Sequence, residues 1–472
     1  MIEFDSSVRR LEHDVLVGGY PLRLLRLTPE AANALTTSMM GMTTSTGTQI
    51  EKFLIDQGFA HAVRPLGLDA HSQVTAVVPA FIPGQELRID PQLRTLATIV
   101  VDDGNQPQLV GSGQGLSIVR TGSRPSGPAV ARNLGASRVR TDLILFTDHD
   151  VVLTQHLIEA LSAHFDDSRV VAAAPRIVTL QGRGLASLLE RGRCALDLGP
   201  HRAWVRPGHR VSYVPSAVLM VRRSAFETAH GFDPRLLVGE DVDLVWRLSS
   251  AGRLVYDANV IAGHRARPNL RDALRRRMQY GMSAAALEQR HPGRLRHLEV
   301  PGIFLAPVLG LLLGGPVGGA AGTLLATLPA QRRLVSIRRS QAMGIAVRGQ
   351  VQAWRSVARY AVRPALPVTA LAASMSPRFR NRLLPVLAAG YLTDLALRAR
   401  ESRALQVTAE DPAVLVRVPV EQAMIAGVVD DLAYSAGVWL GCIQRRSFAA
   451  LIPKVQFSWS RRSRTGSRVP GP

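Results

Sequence analysis

The sequence predicts an α/β protein in three parts. A small strand-and-helix module occupies residues 1–70, an α/β domain built on a mostly parallel sheet occupies 72–300, and an apolar, arginine-rich helical region occupies 301–460, followed by a disordered basic tail at 461–472. Three observations carry this division. A hairpin-like alternation precedes a capped helix near the start. From Ser72 strand-like runs alternate with helical spacing, the pattern of parallel strands joined by crossovers. From Val300 to Gln331 the chain holds no charged side chain at all.

In the first part, "HDVLVGGYPLRLLRL" alternates around Gly18-Gly19. "TPEAANAL" then starts a helix, with Thr28 as N-cap, Pro29 at the first helical position and Glu30 favouring the helix dipole. A second helix is predicted from about Gln49 to Asp56, ending at Gly58, and "FAHAVRP" fits a closing strand. An extension packed on the next domain is the competing reading of this part.

In the second part, strands are predicted at "VTAVVPA", "LATIVVDDG", "LSIVRT", "DLILFTD", "VVAAAP" and "RLVYDANVIAGH", with helical spacing in "PAVARNLGASRV". Ligands of such sheets bind beyond the carboxyl ends of the strands. The polar residues fall there: Asp102-Asp103, Asp148-His149-Asp150 and His264. Two carboxylates at one strand end repel unless a cation lies beside them, and oxygen ligands suit Mg²⁺ or Mn²⁺, which can also hold a diphosphate. A solvated turn or a helix cap is the plainer reading of Asp148 and Asp150. "GEDVDLVWRLSSAG" puts Glu240 and Asp241 at a helix start, where the dipole keeps a carboxylate ionised and available as a base; simple capping competes. Asp103 could hydrogen-bond a nucleobase or ribose, and Arg132 could meet phosphate.

Bulk properties narrow the function classes. The formal charge of +21 raises nucleic acid and anionic membrane as partners. Only Lys52 and Lys454 are lysines, however, and aromatics make up 5%, so the clustered bases and stacking rings of a nucleic-acid surface are missing, and no nucleic-acid partner is expected. Cys194 and Cys442 stand far apart, which excludes a cysteine-based zinc site and a disulfide framework. The charged start "MIEFDSSVRRLEHD" reads as no signal peptide. "GSGQG" at Gly111–Gly115 precedes a strand, whereas a dinucleotide fingerprint follows one.

Taken as an ordered set, "VVPAFIPGQE", "IVVDDG", "AVARN", "ILFTDHDV" and "GEDVDLVWRL" resemble the family 2 glycosyltransferases of the GT-A fold, over about residues 74–280. The resemblance implies that Pro79, Phe81 and Asp103 line the nucleotide pocket with Glu86 beside it, and that Asp148 contacts ribose or metal. It further implies Asp150 as principal metal ligand, Asp241 as general base on the acceptor hydroxyl, Glu240 as the residue orienting the acceptor, and His264 as a metal or diphosphate ligand. An ordinary loop histidine is the alternative for His264. Arg275 to Arg277 and Gln279, just after His264, suit the departing diphosphate, or else form the solvated face of a helix. One base without a second nucleophilic carboxylate argues for single displacement with inversion. The Q-x-x-R-W helix of long-chain synthases is missing from "RRRMQYGMS", which speaks against long processive polymerisation.

The first part also resembles the small winged-helix modules that bind precursor peptides in ribosomal natural-product pathways. Joined to such a transferase and an arginine-rich tail, this layout resembles the transferases that decorate a peptide-derived redox cofactor. That implies glucose units, β-1,4-linked, taken from UDP-glucose. A lipid or wall-polymer acceptor is the alternative for the same fold, and a membrane scaffold with a degenerate sugar-nucleotide domain is the non-enzyme alternative.

In the third part, residues 300–331 are long enough to cross a bilayer, or could form a re-entrant hairpin broken near Gly314-Gly315-Pro316. Arg332 to Arg363 is rich in arginine and free of acid, which predicts a cell-membrane location with the catalytic domain on the cytoplasmic side, in contact with lipid. Asp394, Asp430 and Asp431 interrupt the later apolar stretches, making them poor independent spans. A soluble helical domain burying its own apolar faces competes.

Overall fold

The structure, a computed structural model, describes residues 2–19, 22–42, 44–63, 70–84, 87, 89–110, 115–267, 269–295, 297–333, 339–406 and 414–456. The chain forms two compact units. One holds residues 1–9, 17–270 and 403–418; the other holds 10–16, 271–402 and 419–472.

The first unit is organised by a nine-stranded sheet. Along its main path the order is Val151–Leu153, Arg253–His264, Val170–Thr179, Val218–Arg222, Leu143–Thr147, Val74–Ala80, Ala97–Asp102 and Leu116–Arg120. The last four strands pair in parallel, and so do Val170–Thr179 and Arg253–His264. The expected mostly parallel sheet is in fact mixed. Val218–Arg222, which the strand reading omitted, inserts antiparallel between Leu143–Thr147 and Val170–Thr179. Because that strand is reversed, the parallel strands on either side of it still run the same way. Their carboxyl ends therefore share one edge, and Asp102-Asp103, Asp148–Asp150 and His264 meet it.

Burial explains why the runs become strands. Val74, Ala76, Val78, Leu143, Leu145, Val218 and Met220 are all buried in one core. Trp246 and Tyr256 are the largest fully buried side chains, and each indole or phenol hydrogen finds a carbonyl, that of Ser212 or Gly199.

The amino-terminal elements follow their local signals. Thr28 Oγ1 accepts from the Ala31 N–H at 3.2 Å, and the helix runs Pro29–Met39. The next helix starts at Ser45, earlier than expected, because Thr44 caps it at Gly47 N. Ala60–Ala62 pairs antiparallel with Ile2–Phe4, and the buried His61–Asp5 contact of 3.0 Å ties that pair down.

The second unit is helical. Residues 271–300, expected with the transferase domain, cluster here, whereas the hairpin of Arg403–Gln406 with Val414–Arg417 joins the first unit. Asp394, Asp430 and Asp431 all point inward to cations. Asp394 meets Arg355 at 2.9 Å and Arg398 at 2.8 Å, Asp430 meets Arg277 at 2.6 Å, and Asp431 meets Arg363 at 2.7 Å and the Tyr391 hydroxyl at 2.9 Å. Two helices, Gly302–Thr327 and Val420–Gln444, are long and apolar enough to cross a membrane. The tail at 461–472 lies outside the described residues.

Candidate active site

The site is assembled from loops at the carboxyl edge of the sheet. Asp102, buried at the end of its strand, accepts from Asn105 N at 2.9 Å, Asn105 Nδ2 at 2.7 Å and Leu109 N at 3.1 Å. Asn105 in turn holds the neighbouring strand end, accepting from Ile82 N at 2.7 Å and donating to Ala80 O at 2.8 Å. This fixes the turn that leaves Pro79 half-buried and Phe81 half-exposed at the edge. The sequence reading missed Asn105; its place after a strand-ending Asp-Asp-Gly turn was the available signal. Glu86 lies outside the described residues.

Asp103, expected against nucleobase or ribose, is engaged by its own chain. Its carboxylate accepts from Thr121 Oγ1 at 2.7 Å, Ser126 N at 2.8 Å and Gly127 N at 2.9 Å. The work it does here is to pin the loop that opens the helix Pro128–Ala136.

That helix delivers Arg132, which is expected at phosphate but instead clamps two carboxylates. Nη2 lies 2.7 Å from Asp148 Oδ1 and Nη1 lies 2.9 Å from Glu240 Oε1, with the guanidinium over the Phe232 ring at 5.5 Å. Burial alone would lower the Arg132 pKa, but Asp148, Glu240 and Asp241 outweigh it and raise it. Two motifs far apart in sequence, Asp148–Asp150 and Glu240-Asp241, thus share one cation.

Glu240 and Asp241 begin the helix Glu240–Leu248. Gly239 precedes it at φ 84°, a left-handed turn that favours glycine. Glu240 is buried by its pairing, whereas Asp241 stays half-buried, accepting from Val242 N at 2.8 Å. Asp243 is buried against Arg247, whose Nη2 also donates to Gly231 O, so it belongs to the scaffold.

Asp150 and His264 face one another. Asp150 Oδ2 is 3.2 Å from His264 Nε2, and Arg265 N donates to Asp150 O at 2.9 Å. Burial pushes the Asp150 carboxyl up, but the His264 hydrogen bond and charge, with His149 and Arg267, hold it well below the usual carboxylate range. Asp150 raises His264 against the downward push of burial. Among the described residues no group of three His, Cys, Asp or Glu side chains is set to hold a metal ion. Asp150 Oδ1, however, is buried without a hydrogen-bond partner. An orphaned carboxylate oxygen beside an imidazole fits a hard cation whose other ligands come from a diphosphate and water.

Arg277 and Gln279 belong to the helical unit. Arg277, expected at the leaving group, is buried with Nε against Asp430, so its charge is already matched. Gln279 Oε1 accepts from Arg276 at 3.3 Å.

The profile described as "Glycosyl transferase family group 2" matches residues 143–386, just over half of the chain. This chain belongs to that family. As a glycosyltransferase of group 2, with its acidic motifs gathered at one sheet edge, it has the GT-A α/β fold expected from the sequence. It is 35% identical over 469 residues to the Pre-mycofactocin glycosyltransferase of Mycobacterium tuberculosis, in both the CDC 1551 / Oshkosh and the ATCC 25618 / H37Rv strains. That match covers 96% of this chain and 97% of the relative. Among solved structures, GalNAc-T7 with UDP, GalNAc and Mn²⁺ is similar at TM-score 0.32 and 14% identity, covering 61% of this chain and 60% of that one. The mannosyltransferase PcManGT from Pyrobaculum calidifontis with GDP-Man and Mn²⁺ is similar at TM-score 0.34 and 16% identity, covering 78% and 98%. Both likenesses are remote.

Proposed function

We propose that this glycosyltransferase moves glucose from UDP-glucose onto the peptide-derived redox cofactor precursor pre-mycofactocin, with inversion, adding several β-1,4-linked units. The observation that carries the acceptor is the 35% identity to the pre-mycofactocin enzyme along nearly the whole of both chains. The amino-terminal strands and two capped helices are the proposed peptide-recognition module, and the cell membrane, on its cytoplasmic side, is the proposed location.

In the proposed mechanism Phe81, half-exposed at the sheet edge, stacks on the nucleobase, with Pro79 beneath it and Asp103 shaping the pocket wall. Asp150 and His264 would hold Mg²⁺ or Mn²⁺, with Asp148 alongside, and the bound ion would supply charge neutralisation to the diphosphate. Asp241 takes the proton from the acceptor hydroxyl. The freed oxygen attacks the anomeric carbon, the carbon–oxygen bond to phosphate breaks, and UDP departs with the electron pair. Glu240, fixed by Arg132, orients the acceptor. With Glu240 paired to Arg132 and Asp150 assigned to the metal, the site offers no second carboxylate among the described residues for a covalent sugar intermediate, which favours single displacement. Arg277 is assigned no part at the leaving group.

The test separates binding from chemistry. Asp241→Asn is expected to retain UDP affinity with Mn²⁺ while turnover falls about 10²–10⁴-fold. Asp150→Ala is expected to lose metal-dependent UDP binding itself. Full turnover in both variants would refute the assignment.

A further inference from the structure

The apolar segment at the start of the helical unit does not cross a bilayer as a rod. It is long enough to do so, but the chain reverses at Gly315, at φ 63° and ψ −152°. A Cβ placed on Gly310 would stand 2.1 Å from Gly318 O, and one on Gly322 would stand 2.3 Å from Ala306 O. In a straight helix residues 306 and 322 would lie about 24 Å apart. The segment is therefore a helical hairpin with its two arms in backbone contact, and glycine at 310, 318 and 322 permits that approach. Each arm is roughly 15–18 Å long, about half of the ~30 Å hydrocarbon thickness.

The hairpin turns its large apolar side chains outward. Leu313 is 75% and Val317 81% exposed, and Leu309, Leu324 and Leu325 are each more than half exposed. Cations mark the reversal. Arg382 Nη1 donates to Leu312 O and Leu313 O, each at 3.0 Å, and so satisfies carbonyls left open where the first arm ends. Arg378 and Arg380, in the same turn of chain, are exposed. Between Glu299 and Asp394 the sequence has eleven arginines and no acid.

The second long apolar helix, Val420–Gln444, is no better as a span. Its Gly437 and Gly441 lie against the backbone of Met278 and Met282, in the arginine-rich helix Leu270–Arg290. That packing, with Asp430 and Asp431 buried in ion pairs, ties the helix into its own unit.

We propose that residues 305–327 form an in-plane membrane anchor, a hairpin lying in one leaflet of an anionic bilayer without crossing it. Arg382 sets the depth. A guanidinium tied to the reversal is costly at the bilayer centre, so the reversal stays at the phosphate level, and the outward leucines enter the boundary between headgroup and acyl chain. Arg378 and Arg380 meet lipid phosphates, whose geometry a planar guanidinium matches. The acid-free stretch leaves no like charge to repel those phosphates.

The full chain is added to preformed vesicles of phosphatidylcholine, with or without phosphatidylglycerol, and floated on a density gradient. It is expected to float with the anionic vesicles only, less so as salt rises. Arg378→Gln with Arg380→Gln is expected to lower partitioning about fivefold per charge removed. Leu313→Asp with Val317→Asp is expected to lower it more than tenfold while UDP affinity, read on the same sample as a check of folding, stays unchanged. Glu299→Cys and Arg348→Cys, each on vesicle-bound protein, are expected to react with impermeant maleimide added outside, above the baseline of the native cysteines. Equal flotation with neutral vesicles, no flotation, or protection of one flanking cysteine would overturn the proposal. So would a Leu313→Asp/Val317→Asp variant that floats unchanged but breaks up an oligomer, since the surface would then bind a second copy.

Discussion

Arg132 is the residue on which the site turns, because it is shared between the acidic group after one strand and the acidic start of a helix 108 positions away. Removing one partner of a buried ion pair leaves an uncompensated charge. Arg132→Ala is expected to cost about 3–5 kcal/mol and abolish turnover, whereas Arg132→Lys, which keeps the charge but cannot fork, regains stability more than activity; denaturant melts beside turnover check both. Asp257 gives a pH signature away from the site. Burial raises its pKa, but hydrogen bonds from His164 and Arg202 hold it below the usual carboxylate range. A carboxyl depressed in the folded state stabilises above its unfolded value, near 3.9, and that contribution is lost as pH falls through the folded value. Wild type is therefore expected to melt higher than Asp257→Asn at neutral pH, with the difference beginning to shrink below about pH 4 and vanishing only once the pH has fallen through the folded value. The residue types at the site were legible as motifs. Their partners were not: Asp103 engages its own loop, Arg132 two carboxylates and Arg277 a distant aspartate, because pairing depends on contacts between residues far apart in sequence.

At the scale of elements, local chemistry was a good guide wherever it acts locally. Thr28 and Pro29 start their helix as their side chains require, and Thr28→Ala is expected to cost about 1 kcal/mol, read as faster amide exchange in Pro29–Met39. The helix Ser45–Asp56 began early because Thr44, one of several adjacent hydroxyl residues, was the cap selected. Val218–Arg222 escaped notice because an apolar run of that length fits a short strand or a buried helix segment equally. Gly314-Gly315-Pro316 was visible as a possible break; what decided for a hairpin was the glycine spacing that lets the two arms touch.

At the scale of the molecule, the alternation of strands and helices and the carboxyl-edge rule place the acidic motifs together, and the sheet gathers them at one edge. The division into units was less legible. Residues 271–300 join the helices and 403–418 join the sheet unit, since compact units are set by packing and not by where composition changes. The aspartates in the apolar helices read as interruptions that make those stretches poor independent spans, but their partners were not legible: each is buried against arginine. Part of the arginine content is thus paired inside the helical unit.

The most direct measurement is to incubate the full chain with UDP-glucose, Mn²⁺ and pre-mycofactocin, and follow the acceptor by mass spectrometry with β-glucosidase digestion of the product. The account predicts successive hexose additions, removable by the β-specific enzyme and missing with Asp241→Asn. An acceptor that stays unmodified while UDP still binds, or a product that resists β-glucosidase, would contradict it.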